Sequence, residues 1–230
     1  MAIRFRPLLV LALVATCHLT AAATEASADA PPPPGPEQCA AAFARELSKK
    51  PRAHLAAPPA VFLGSLRRFR AAMVEHGAPL GVDAFHALRG DTQVEATPWT
   101  PLKQDAKTAF PAQTRTVRFV TAVDAPFGPK ETRAEKVQVS RNYGDDCGTV
   151  LETQYFFKDI PMGDSFHVID RWVVEADGAV TRAVVSFELV WTKRCLMKSV
   201  VDRKCRADIE GFFQDWFARA DVLFADTADD

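Results

Sequence analysis

Side chains able to do acid–base, nucleophilic or metal chemistry are few and scattered in these 230 residues. After position 23 the histidines are His54, His76, His86 and His167, and none stands at the spacing of a zinc-binding helix. No G-x-S-x-G elbow and no glycine-rich phosphate cradle is present. Glu152 and Glu188 are isolated acids in β-patterned stretches and are expected on a surface. His167 falls on the strand parity opposite Phe166 and Trp172, so it is expected to face outward. An enzyme reading would need Asp170 and His167 together inside the fold. No catalytic residue, metal site or cofactor is assigned. Gln138, Asp170 and Ser186 are instead candidates for the few polar groups that orient a ligand in an apolar site.

Cysteine chemistry depends on the compartment. Residues 1–23 hold Arg4 and Arg6 but no acid, then an apolar run from Leu8 to Ala15, then Ala21, Ala22 and Ala23. That is the order of a secretory signal peptide cleaved after Ala23, or alternatively after Ala28, with an organellar transit peptide as the rival reading. Cleavage would remove two arginines from a chain of net charge −1, and would remove Cys17. Cys39, Cys147, Cys195 and Cys205 remain, with no C-x-x-C pair among them. The pairing expected from strand parity is Cys39 with Cys147 and Cys195 with Cys205. The second pair requires a non-helical stretch, and free thiols in a reducing compartment are the alternative.

A third group is basic: Lys193, Arg194, Lys198, Arg203, Lys204 and Arg206 surround the start of a C-terminal helical stretch. Cations at a helix N-terminus oppose its dipole, so helix stability does not explain them. They form either a docking surface for anionic lipid headgroups or a solvated charged face. Near-neutral net charge argues against nucleic acid as a partner.

The elements that would position these residues follow from periodicity. Residues 30–36 read APPPPGP and make a linker over 24–36. Helices are expected at about 37–50 and about 60–76, the second from Val61, Leu66, Phe69 and Met73. The pattern over 77–114 is weak, with one strand near Val94–Trp99. Five strands then follow at about 114–122, 133–141, 149–158, 165–175 and 179–191, joined by turns short enough for an antiparallel meander. From about 197 to 224, apolar residues at 3–4 spacing predict one long buried helix. Parity puts the 124–130 loop, the 159–164 turn and Lys193 at one end of the sheet. A curled meander closed by a long helix is an α+β helix-grip architecture, able to enclose a cavity between sheet and helix.

Arg115 and Phe119 sit on a strand ahead of Gly128-Pro129-Lys130, and Gln138 follows. Asp159-Ile160-Pro161-Met162-Gly163-Asp164 runs into Phe166, Val168 and Arg171-Trp172, then Trp191-Thr192-Lys193 and Ile209-Glu210. In this ordered set the stretch from about Thr114 to Ala225 resembles the VASt family, relatives of StAR-type lipid-transfer domains that include the Aster and Lam/Ysp sterol transporters. The resemblance implies a START-like domain over 60–225 that binds a sterol or similar lipid, with Phe127, Gly128, Pro129 and Lys130 as a lid. Residues 37–59 become an N-terminal extension and 226–230 an acidic tail.

Cavity walls expected from strand and helix parity are Phe119, Val137, Tyr155, Phe157, Phe166, Val168, Trp172, Phe187, Phe212 and Trp216, about half lining a ligand and the rest plain core. Phe127 either enters a membrane interface or packs inward. The competing readings are an interaction domain whose interior is filled by aromatics, and an enzyme working inside the cavity.

Overall fold

A computed structural model describes residues 34–105, 108–124 and 128–225. The elements run α1 (Pro36–Leu47), β1 (His54–Leu55), β2 (Ala60–Leu63), α2 (Leu66–Met73), α3 (Val82–Leu88), β3 (Thr92–Ala96) and β4 (Thr100–Pro101). They continue as β5 (Ala112–Ala122), β6 (Glu131–Asn142), β7 (Gly148–Phe157), β8 (Phe166–Asp177), β9 (Val180–Trp191) and α4 (Lys198–Ala225).

The five long strands form the expected antiparallel meander, with sheet order β1-β9-β8-β7-β6-β5-β3; β2 also pairs with β9, and β4 with β5. Gly178 takes φ +60° in the tight β8–β9 turn, a conformation that favours glycine. This register places the β5–β6 loop, the β7–β8 turn and the end of β9 together. The start of α4 joins them, since Lys204 reaches Asp124 at 3.4 Å and the sulfurs of Cys195 and Met162 stand 3.1 Å apart.

The region before the meander departs from its sequence pattern. The helix expected over 60–76 is a strand followed by a helix: β2 pairs with β9, Gly64 turns at φ +107°, and Ser65 caps α2 by accepting from the Arg68 N–H. A four-residue strand carries too few side chains to shift a helical count, and Val61 belongs to it. The weak stretch over 77–114 hides α3, whose seven residues hold buried Val82, Phe85 and His86.

Alternation gives the sheet two faces. The inner face carries Val117 and Phe119 of β5, Lys136 and Gln138 of β6, Leu151 and Thr153 of β7, Asp170 and Trp172 of β8, and Val185 and Phe187 of β9. It packs on α4, whose Phe213, Trp216, Phe217, Ala220 and Phe224 are buried.

The outer face is covered by the N-terminal segment. Cys39 of α1 is bonded to Cys147, and Phe43 lies 5.5 Å from the Tyr143 ring. Arg171 donates to Glu46 at 2.6 Å and to Glu152 at 3.0 Å, and Arg52 reaches Glu188 at 2.6 Å. No described helix is long and apolar enough to cross a membrane.

Candidate interior site

Two residues expected at the cavity, Val137 in its wall and Ser186 among its polar groups, face the wrong way. Val137 lies opposite Thr116 and Gln154 on the outer face, because neighbours on a strand cannot share a side and Gln138 points inward. Ser186 is also outward: it sits opposite Arg171 and Leu55, and its hydroxyl accepts from the Arg52 N–H at 3.0 Å. Its burial comes from β1, not from a cavity. His167 is outward as well, stacked on Phe156.

Phe119, Tyr155, Phe157, Phe166, Val168, Asp170, Trp172, Phe187, Phe212 and Trp216 do meet between sheet and helix, but they divide into two zones. Around Trp172 the aromatic packing is dense: Phe213, Trp216 and Phe217 stand edge-on to its ring at 4.9–5.6 Å. Phe85 stacks on Trp216, and the indole of Trp216 donates to the Leu80 carbonyl. Toward the first half of α4 the packing loosens. Tyr155, Phe157, Leu189, Trp191, Val201, Ile209 and Phe212 contact the core yet remain partly open to solvent. This zone lies at the end that holds the β5–β6 and β7–β8 connections.

A polar group with no counterpart in the sequence reading sits between the zones. Lys136 is 1% exposed, and its Nζ makes no hydrogen bond. The amine lies 4.2 Å from the Tyr155 ring centre, 4.3 Å from Phe212 and 5.6 Å from Phe119, a cage of ring faces that favours a cation. Asp170 is likewise 1% exposed; neither carboxylate oxygen has a hydrogen bond of good geometry, though Tyr155, Thr153 and Trp172 approach closely enough to act on it. Burial lowers the Lys136 pKa to about 7, partly opposed by the negative charge of Asp170. Burial raises that of Asp170 to about 6, against the pull of Tyr155 and Lys136. Burial and the nearby Asp170 also push the Tyr155 hydroxyl well above its usual value.

His86 adds a third group. Its Nδ1 lies 2.5 Å from Asp91, and its ring stacks on Phe119 at 3.7 Å. Burial, then the Lys136 charge, lowers its pKa to about 3. A neutral ring donating Nδ1–H to Asp91 leaves Nε2 as a buried acceptor without a partner.

Gln138 faces inward as expected but is already engaged, accepting from Arg115 Nε at 2.8 Å and donating to Thr153 at 3.3 Å. Lys136 was missed because an alternating strand discourages placing a lysine inward. Its parity with Gln138 was the available signal.

At this end, Phe127, expected in a lid, lies outside the described residues. Gly128 takes φ +102° beside Pro161, followed by Pro129 and Lys130. The basic cluster is partly neutralised: Lys193 pairs with Asp164, Lys198 with Asp202 at 2.5 Å and Lys204 with Asp208 at 3.0 Å, while Arg206 meets His54. Arg194 and Arg203 make no ion pair among the described residues. Leu196 is 104% exposed, and Met197 and Val200 are also exposed, all within this basic segment.

The second expected disulfide is not formed. Cys195 and Cys205 are free, and Cys205 lies in the continuous α4, where burial raises its thiol pKa to about 12. Cys39 and Cys147 are bonded, with Cα atoms 6.3 Å apart.

The family model described as "VAD1 Analog of StAR-related lipid transfer domain" (VASt) matches residues 60–208. No curated protein matches the chain significantly.

Proposed function

This chain belongs to the VASt family, whose domains bind lipids and are generally not enzymes, and from that premise we propose that it carries a sterol or similar lipid between the first half of α4 and the inner face of β7–β9. The observation that supports this reading is the loose apolar zone. Inward-facing Tyr155, Phe157, Leu189, Trp191 and Phe212 are left partly wet together at the end that holds the β5–β6 and β7–β8 connections. A lipid seated there would cover this apolar surface, at about 25 cal/mol per Å².

Exposed apolar and basic side chains at the same end support a membrane contact. Leu196 and Met197 stand out from a segment that also holds Lys193, Arg194 and Lys198. Surface ion pairs such as Lys198–Asp202 are worth at most about 1 kcal/mol, so these lysines can exchange a carboxylate for a lipid phosphate. The Gly128-Pro129-Lys130 loop serves as the lid.

The compartment proposed is the secretory pathway, supported by the leader pattern and by the Cys39–Cys147 bond. Amino-terminal sequencing of the secreted protein tests it, and a chain retained inside the cell with residues 1–23 attached would overturn it.

The function is tested by recovering the protein from its native source and identifying bound lipid by mass spectrometry. A stoichiometric sterol is expected; a different lipid would replace the sterol reading. Protein recovered without any lipid favours a second reading, an interaction domain whose interior is filled, which the close packing of Trp172, Phe213, Trp216 and Phe217 supports.

A further inference from the structure

Lys136 has no structural task that a neutral side chain would not perform better. Desolvating an ammonium costs several kcal/mol, and an ion pair recovers this only when hydrogen bonds complete it. Here Lys136 makes no hydrogen bond, and Asp170 has only the off-geometry approach of Tyr155, Thr153 and Trp172. Methionine at position 136 would fill the same space among Tyr155, Phe212 and Phe119 without that cost. Two of those rings, Tyr155 and Phe212, belong to the loose zone, so the amine lies one layer of side chains below the proposed lipid site.

We infer that Lys136 anchors an apolar aldehyde covalently, holding it as an imine on Nζ with Asp170 as the counter-ion. The inference rests on the lipid-binding reading above.

The step balances without oxidant or reductant. The free Nζ lone pair attacks the aldehyde carbon, and one amine proton passes to the former carbonyl oxygen to give a carbinolamine. Protonated Asp170 then supplies a proton to the leaving hydroxyl. Water departs, a C=N bond forms, and the cationic imine faces the Asp170 carboxylate. Lysines activated for such chemistry are desolvated in apolar pockets. An exposed lysine with the ordinary pKa of about 10.4 holds almost no free amine at pH 7, whereas burial shifts Lys136 toward its free amine. The charged groups acting on the amine are Asp170 of β8 and Asp91 beyond α3, which favour its cation, and Arg89 at the end of α3, which opposes it. His86 of α3 is neutral there, and Tyr155 of β7 keeps its proton.

The test uses the full chain with all-trans-retinaldehyde as the probe, its alcohol retinol as the non-covalent control, cyanoborohydride to trap the imine, and peptide mass mapping. The expected result is an adduct on Lys136 at least tenfold above that on any other lysine, lost in a Lys136→Met variant that circular dichroism shows to be folded. If that variant fails to fold, the wild-type adduct map decides alone. Retinol binding with no excess adduct at Lys136 overturns the imine and leaves the lipid-binding reading standing. If neither probe binds, the imine inference falls, and lipid recovered from the native protein decides the lipid-binding reading separately.

Discussion

Lys136 on β6 and Asp170 on β8 point into one interior from either side of Tyr155 on β7, and neither makes a hydrogen bond of good geometry. Each is ionised only at a cost that the other partly offsets.

That relationship sets a pH dependence. The Asp170 pKa, raised to about 6, makes the folded state hold more protons than the unfolded one between about pH 4 and 6, so stability falls as pH rises through that window. The Lys136 pKa, lowered to about 7, makes the unfolded state hold more protons between about pH 7 and 10, so stability rises with pH there. The contribution of the pair is therefore least favourable between about pH 6 and 7. Urea denaturation of wild type and of Lys136→Met/Asp170→Asn from pH 4 to 10 should show the double variant gaining most, on the order of 1–3 kcal/mol, at that minimum. A difference that does not vary with pH would refute it.

Arg171 gives the opposite result. It is buried on the outer face and bonded to Glu46 and Glu152. Glu46 is itself desolvated, yet its bonds from Lys49, Arg171 and Tyr143 hold its pKa down to about 2. Arg171→Met should cost about 2–3 kcal/mol at pH 7, since it strands a partly buried carboxylate. The loss should shrink as pH falls below about 4, where Glu46 protonates in the unfolded chain. Chemical denaturation at pH 7 and pH 3 measures both values.

The Cys39–Cys147 bond closes a separation of 108 residues. Cys147→Ser should lower stability by about 2–4 kcal/mol. Amide exchange should rise first in α1 and in the Phe43–Tyr143–Val150 cluster, with β8 and β9 still protected. Gly148→Ala should loosen the same contact by another route, because its Cβ would lie 2.1 Å from the Phe43 ring. A uniform rise in exchange across the sheet would contradict this local role.

Ahead of α4, Leu196→Asp with Met197→Asp should reduce binding to vesicles containing anionic phospholipid by about tenfold or more, measured by co-sedimentation, without changing thermal stability. Reversing Lys193, Arg194 and Lys198 should weaken binding and flatten its dependence on salt. Phe127→Asp with Lys130→Glu should slow lipid extraction. Unchanged binding in the first variant would remove Leu196 and Met197 from the contact.

The meander and α4 were legible in the sequence because their periodicity is sustained over ten or more residues. Five strands and a 28-residue helix accumulate enough side chains for one period to dominate. The short elements were not. β1 and β4 have two residues each and exist only through pairing with β9 and β5, and β2 merged with α2. Within the site, alternation places Gln138, Asp170 and Trp172 inward, and by the same rule Val137 beside Gln138 and Ser186 beside Phe187 fall on the outer face, where β1 buries Ser186. Lys136 escaped notice because its burial is a tertiary fact, set by Phe212 arriving from α4 some 76 positions later.

The cover over the outer face bears on how portable this domain is. The family match begins at residue 60, yet Cys39, Glu46 and Arg52 all precede it. A fragment cut there would retain the meander and α4 while leaving Arg171, Tyr143 and Val150 without the groups that shield them. The meander of this chain depends on a neighbour outside the family boundary, so it is not an interchangeable cassette. Grafting the proposed lipid site into another protein would require residues 34–59 to travel with it.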